Sequence, residues 1–249
     1  MTMKKHGLEQ QAGGGEMAAP RFSRKKKERE VRSPSDGLRR YAALTHGIGA
    51  LLAGAATGVL ITLAALASSA WWVVSYSIYG ATLIGLYTAS TLYHCIPAKD
   101  GGRRALRKVD HIMIYMLIAG TYTPICLGPL RDRGGWGWAI FGVIWGLAVA
   151  GSLVKLFWMT APRWVSAAAY IGMGWMIVVA VYPMVQQMPG RALMWLILGG
   201  VFYTAGGILY AKKWPGRERK WFGFHEVFHI FIMLGSVCHY GMMVNILYH

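Results

Sequence analysis

This sequence predicts an all-α, polytopic membrane protein with seven transmembrane helices and a cytoplasmic N-terminus, and three observations lead there. Hydrophobic residues make up 55% of the 249 residues, while charged residues make up only 14%. No Lys, Arg, Asp or Glu occurs in 41–98, 111–130, 134–154, 164–190, 192–211 or 227–249. Each run reaches the roughly 20 residues that an α-helix needs to cross the hydrocarbon layer, and the first is long enough for two crossings. A soluble core helix of that length would carry a polar stripe, and these runs do not. Lastly, the cations are unevenly placed. With the N-terminus inside, inner segments hold 23 Lys and Arg and outer loops hold three, Arg131, Arg133 and Arg191. That bias is the usual orientation signal of membrane proteins.

The elements follow in order. Residues 1–40 carry 11 of the 26 cations, with Gly13-Gly14-Gly15, a basic run at 24–27 and Ser33-Pro34-Ser35. So few apolar residues cannot offset the entropy of ordering, which predicts a disordered basic tail. The apolar run begins only at Tyr41 and exceeds the length of a signal-peptide core, so no cleavable signal is expected. Helices are predicted at about 41–67, 72–95, 109–130, 136–157, 164–184, 191–211 and 224–247, together forming a transmembrane domain over 41–249. Turn residues separate them: Ser68-Ser69, Pro97 with Gly101-Gly102, Gly134-Gly135, Pro162, Pro189-Gly190 and Pro215-Gly216. Gly54 and Gly58, and Gly142 and Gly146, are four apart, a spacing that lets membrane helices approach closely. General glycine enrichment in such helices would leave the same letters.

A net charge of +16 could indicate nucleic acid, but cations beside apolar spans read instead as topology determinants. The expected partners are membrane lipids, with anionic headgroups drawn to the basic tail and loops, and not nucleic acid. Cys95, Cys126 and Cys238 show no metal or disulfide spacing and read as apolar-like thiols.

Polar residues inside spans are costly and need a partner or a task. Ser90 and His94 fall near the inner end of the second span, Asp110 near the inner start of the third, and His225 and His229 near that of the seventh. At 1.5 Å per residue all lie within about 3–14 Å of the cytoplasmic boundary. His225 and His229 are i and i+4, one turn apart on one helix face. With His94 they make three imidazoles, a catalytic zinc pattern that leaves one position open. Zinc acidifies water and polarises carbonyls. Asp110 could hold or deprotonate that water, and Ser90, one turn from His94, could donate to it. Iron or copper would suit the same donors.

Blander readings stay open. Asp110 could be the N-terminal anion of the third helix, and His46 could either approach the site or pack. His111 is expected at the interface, and His239, about 15 Å beyond His229, is expected to be structural. His225-Glu226-Val227-Phe228-His229 also spells HExxH, in which Glu226 would be the general base of an intramembrane protease. Equally, Glu226 could be a first-turn residue facing Lys220 and the headgroups.

The chain resembles the haemolysin III branch of the progestin and adipoQ receptor family over about residues 38–249. The resemblance rests on Thr45-His46-Gly47-Ile48-Gly49-Ala50, Ser90-Thr91-Leu92-Tyr93-His94, Lys108-Val109-Asp110-His111, Ala119-Gly120-Thr121-Tyr122-Thr123-Pro124, His225-Glu226-Val227-Phe228-His229 and Gly235-Ser236-Val237-Cys238-His239. It implies a seven-helix fold in the bacterial inner membrane that holds zinc near the cytoplasmic side. It further implies ligands His94, His225 and His229, with Asp110 and Ser90 beside them, and a role in membrane homeostasis. An acidic residue and an Asn usually precede the first-helix His in the family, where this chain has Arg39 and Ala42. The functions implied are a zinc-dependent hydrolase of a lipid amide or ester, a non-catalytic regulator with structural zinc, or a cytolysin. A pore former needs a soluble precursor or export, and nothing in the sequence supplies either.

Overall fold

The computed structural model describes residues 38–67, 69–216 and 222–249, and every element in them is helical. The expected disordered tail falls outside these residues except at its inner end, where Arg40 already begins the first helix. The helices are α1 (Arg40–Leu66), α2 (Ala70–Cys95), α3 (Asp100–Leu127), α4 (Trp136–Phe157), α5 (Arg163–Trp175), α6 (Val181–Gln187), α7 (Gly190–Lys212) and α8 (Phe224–Leu247). A 3-10 segment, Met176–Ala180, joins α5 to α6 into one rod. Each of α1 to α4 packs on the next, α5 packs on α7, α7 on α8, and α8 returns against α1. The bundle is therefore a closed ring in which the last helix meets the first.

Five rods are long and apolar enough to cross a membrane: α1, α4, the joined Arg163–Gln187, α7 and α8. Their outward faces carry side chains such as Leu51, Phe157, Val179 and Val237, all more than 60% exposed. Ser90, His94, Asp110 and Glu226 are buried instead. Apolar outside and polar inside is the arrangement of a multi-pass membrane protein. The second and third predicted spans are present as helices, α2 and α3, but are more polar. Helix α2 buries Ser75, Tyr76, Tyr79 and Tyr87 towards the centre, and α3 begins with a charged turn.

Two boundaries differ from expectation. Helix α3 starts at Asp100, nine residues before the predicted position. Hydropathy ends a span at Lys108, but Arg, Ala, Leu and Lys are good helix formers and continue the helix past Gly101-Gly102 into a polar turn. Asp100 stands at its N-terminus, where the helix dipole favours an anion. Arg103 folds back to donate to the carbonyls of Ile96 (3.2 Å) and Tyr93 (3.4 Å), satisfying the C-terminal end of α2. The fifth rod, predicted as one continuous helix, is interrupted by a buried tyrosine. Tyr122 Oη points at the carbonyls of Gly174 (2.6 Å) and Met173 (3.0 Å) and accepts from Ile177 N–H (2.8 Å). A side chain inserted into the backbone ladder diverts the i to i−4 pattern and leaves the tighter 3-10 turn.

Close helix approach occurs at other glycines than the spaced pairs. A Cβ at Gly54, Gly58, Gly142 or Gly146 would meet nothing within 4 Å, whereas one at Gly80 would lie 2.8 Å from Thr57 Cβ, with Thr57 Oγ1 nearer still. Accordingly Gly80→Ala, which must separate α1 from α2, should destabilise the protein by about 1–3 kcal/mol. Gly54→Ala should be neutral or stabilising by up to about 1 kcal/mol. Thermal unfolding of both variants in detergent checks the contrast.

Candidate metal centre

His94, at the last turn of α2, faces the first two turns of α8, which carry His225 and His229. One donor atom from each of the three lies within 4.8 Å of the other two. His225 Nε2 and His94 Nε2 are 2.9 Å apart, and the His229 ring centroid is 4.6 Å from that of His225 and 5.3 Å from that of His94. Two imidazole nitrogens at 2.9 Å share a proton, carried by one and accepted by the other, or a cation bound by both lone pairs. A cation accepted by both replaces that proton. Three such donors can hold a metal, and an all-imidazole set suits zinc, copper, iron or nickel rather than magnesium or calcium.

The His229 ring is oriented by α1. Its Nδ1–H donates to the Ala42 carbonyl at 3.2 Å, with Thr45 Oγ1 at 3.4 Å. That bond fixes the tautomer and leaves Nε2 with its lone pair facing inward, the arrangement found behind most metal-binding histidines. The contact at residue 42 comes from the backbone, so the Ala in place of the family's usual Asn leaves it intact. Arg39 also has a defined task. Its Nη1 donates to both Glu226 carboxylate oxygens at 3.1 Å, and its backbone N–H donates to the His94 carbonyl at 3.1 Å. One residue thus ties α1 to both helices that carry the imidazoles.

Glu226 is buried, and besides Arg39 it accepts from Gly223 N–H at 2.9 Å, closing the first turn of α8. Its carboxylate is occupied by these two donors, so the HExxH spelling is here a capping and ion-pair arrangement. Asp110 lies ten residues inside α3, which removes the reading of it as that helix's N-terminal anion. It is buried, and it lines the same cavity as Ser90, His225 and His229. Ser90 Oγ is buried without a hydrogen-bond partner among the described residues, available to a group that enters the cavity.

The remaining histidines sort clearly. His46 does approach the site: its ring stacks on His229 at 3.5 Å between centroids, 7° from parallel. Both its nitrogens are buried without partners among the described residues; of the two readings open for His46, approach to the site is the one the structure shows, as a stacked ring. His111 is half-buried against the cavity, with Nδ1 2.9 Å from the Arg107 carbonyl and 3.5 Å from Asp110 Oδ2, so it is not purely interfacial. His239 packs far along α8 against Tyr203, with centroids 5.1 Å apart.

The family described as haemolysin-III related matches residues 40–240, which spans α1 through most of α8. This chain belongs to the haemolysin III-related family. It is 40% identical over 195 residues to the hemolysin-3 homolog of Bacillus subtilis (strain 168), covering 78% of this chain and 87% of that protein. It is 38% identical over 197 residues to hemolysin-3 of Bacillus cereus, covering 78% and 84%. The human monocyte to macrophage differentiation factor is 25% identical over 196 residues, 74% of each chain, which extends the likeness into the wider progestin and adipoQ receptor group. Within this haemolysin III-type chain the imidazole cluster sits where the ring of helices closes.

Because Glu226 is buried and Arg39 is its charged partner, Arg39→Ala should destabilise the protein by about 2 kcal/mol, and more than Glu226→Gln, which leaves unpaired only the partly exposed Arg39 cation. The double variant should lose less than the two single effects combined. Unfolding midpoints of the four proteins test this coupling.

Proposed function

We propose that this protein is a zinc-dependent hydrolase of a lipid amide or ester, acting in membrane homeostasis in the bacterial plasma membrane. It crosses the membrane seven times with its N-terminus in the cytoplasm, as the 23-to-3 distribution of Lys and Arg supports. The observation that carries the reading is three converging imidazoles, two of which, His225 and His229, line a cavity of about 360 Å³ whose walls are mostly apolar. A structural site needs no such space beside it, whereas a lipid substrate does. Two relatives carry the name hemolysin, but a cytolysin must leave its membrane to reach another, and a ring of lipid-facing apolar helices opposes that.

Zinc, when bound, supplies Lewis acidity to a carbonyl oxygen and lowers the pKa of a water. His94, His225 and His229 would hold it, with the Ala42 carbonyl keeping His229 in the required tautomer. Asp110 takes a proton from the attacking water and returns it to the departing amine or alkoxide. Ser90 donates its hydroxyl hydrogen towards the scissile carbonyl. The apolar wall excludes bulk water and takes up the acyl chain. Glu226, bonded to Arg39 and Gly223, has no part in the chemistry.

Purified protein should carry about one zinc ion per chain, and the His225→Ala/His229→Ala variant should carry none. Asp110→Asn and Ser90→Ala should keep the metal and lose turnover by about 10²–10⁴-fold, measured on lipids that accumulate in a deletion strain. Full complementation of that strain by both variants would rule out catalysis and favour a regulator with structural zinc. Glu226→Gln should stay active; its loss of turnover with zinc retained would restore the protease reading.

A further inference from the structure

Lys155, counted among the inner-segment cations and falling in the last turn of the predicted 136–157 helix, lies inside α4 and is only 3% exposed. Its ammonium group donates to Ser166 Oγ, a neutral partner. It lines the same cavity as Arg107 from α3 and Arg163 from α5. Arg163 stacks over the rings of Phe224 (5.4 Å) and Tyr210 (5.7 Å). Tyr210 in turn is 5.9 Å from the His225 ring, so this basic wall is one aromatic ring away from the imidazoles.

No carboxylate among the described residues pairs with any of the three cations. Glu226 is bound by Arg39 and Asp132 by Arg131, while Asp110, in the same cavity wall, turns Oδ2 towards His111 at 3.5 Å. A cation buried in a membrane helix without a counter-ion is costly, and such residues mark ligand paths. Basic pockets between membrane helices are suited to phosphate headgroups. A carboxylate brings one charge and two acceptor oxygens. A phosphate monoester brings three terminal oxygens and close to two charges, a better match to three cations from three helices.

We infer that Arg107, Lys155 and Arg163 form a subsite for the phosphate of an acyl lipid whose chain lies in the apolar depth of the same cavity. The subsite deepens the lipid-hydrolase reading and rests on it for the identity of the cavity's occupant. It narrows the substrate class to phosphate-bearing lipids and orients them, with the head at the basic wall and an acyl linkage near the imidazoles.

The test uses the full chain in a neutral detergent, in the His225→Ala/His229→Ala background so that nothing is turned over. Metal-stripped wild type serves if that variant does not fold. Binding of oleoyl-lysophosphatidate, monooleoylglycerol, oleate and inorganic phosphate is compared. Lysophosphatidate should bind at least about tenfold more tightly than monooleoylglycerol, as charge-assisted bonds to a phosphate allow. Lys155→Met, and separately Arg163→Gln, should remove most of that preference while leaving monooleoylglycerol binding and the unfolding midpoint unchanged. Equal binding of the two lipids, oleate binding as tightly as lysophosphatidate, or displacement of the lipid by millimolar phosphate would each overturn the inference. So would a preference that survives both substitutions. Absence of turnover in metal-loaded wild type would count against the hydrolase reading alone, since no binding arm depends on chemistry.

Discussion

The bond from His229 to the Ala42 carbonyl joins the last helix to the first, and much of the site depends on it. In water an imidazole N–H would exchange partners freely. In an apolar bundle each polar group must find a fixed partner, because none is supplied by the surroundings. The carbonyl on α1 therefore fixes the tautomer of His229, and with it the nitrogen that faces His94 and His225. Arg39 repeats the connection at the surface of the bundle, bonding the carbonyl of His94 and the carboxylate of Glu226. Closure of the helix ring and assembly of the imidazole cluster are the same event.

The same rule explains the irregular features elsewhere. Tyr122 enters the backbone ladder of the fifth rod and satisfies the groups it frees, so α5 can end and α6 begin inside the protein. Farther along the cavity, Ser236 accepts from Tyr87 at 2.8 Å and lies 3.0 Å from the Tyr203 hydroxyl, linking α2, α7 and α8. These internal bonds leave the cavity walls largely apolar, and buried polar atoms without a partner among the described residues remain at Ser90 and His46 beside the imidazoles and also at Thr57, Tyr79 and His239. One cavity is thus lined by His225, His229 and the cations Arg107, Lys155 and Arg163 together with largely apolar walls.

Arg39 and Ala42 show how a departure from a family pattern can be absorbed. The contact made by residue 42 belongs to the backbone, so the side chain there is free to vary. Residue 39 has changed charge, and it finds the buried acid on α8 as its partner. Sequence comparison sees one reversed charge and one lost polar side chain, whereas the folded protein has a backbone contact at residue 42 and an ion pair at residue 39.

The sequence by itself determined the helical class, the order of the rods and the residues whose burial would need an explanation. Those follow from hydropathy and from turn residues, which act over one helix length and are legible along the chain. His94, His225 and His229 were legible because depth in the membrane is counted in residues from the nearest charge, and i, i+4 spacing fixes a shared face. Only the tertiary structure decided the azimuth of each helix about its own axis. That rotation put His46 flat against His229, turned Glu226 to Arg39 and sent Lys155 inward to Ser166. It also set which glycines meet a neighbour, choosing Gly80 over Gly54. A membrane helix that is apolar all round has no sequence stripe to announce its rotation, so these contacts come from packing against neighbours far away in the chain.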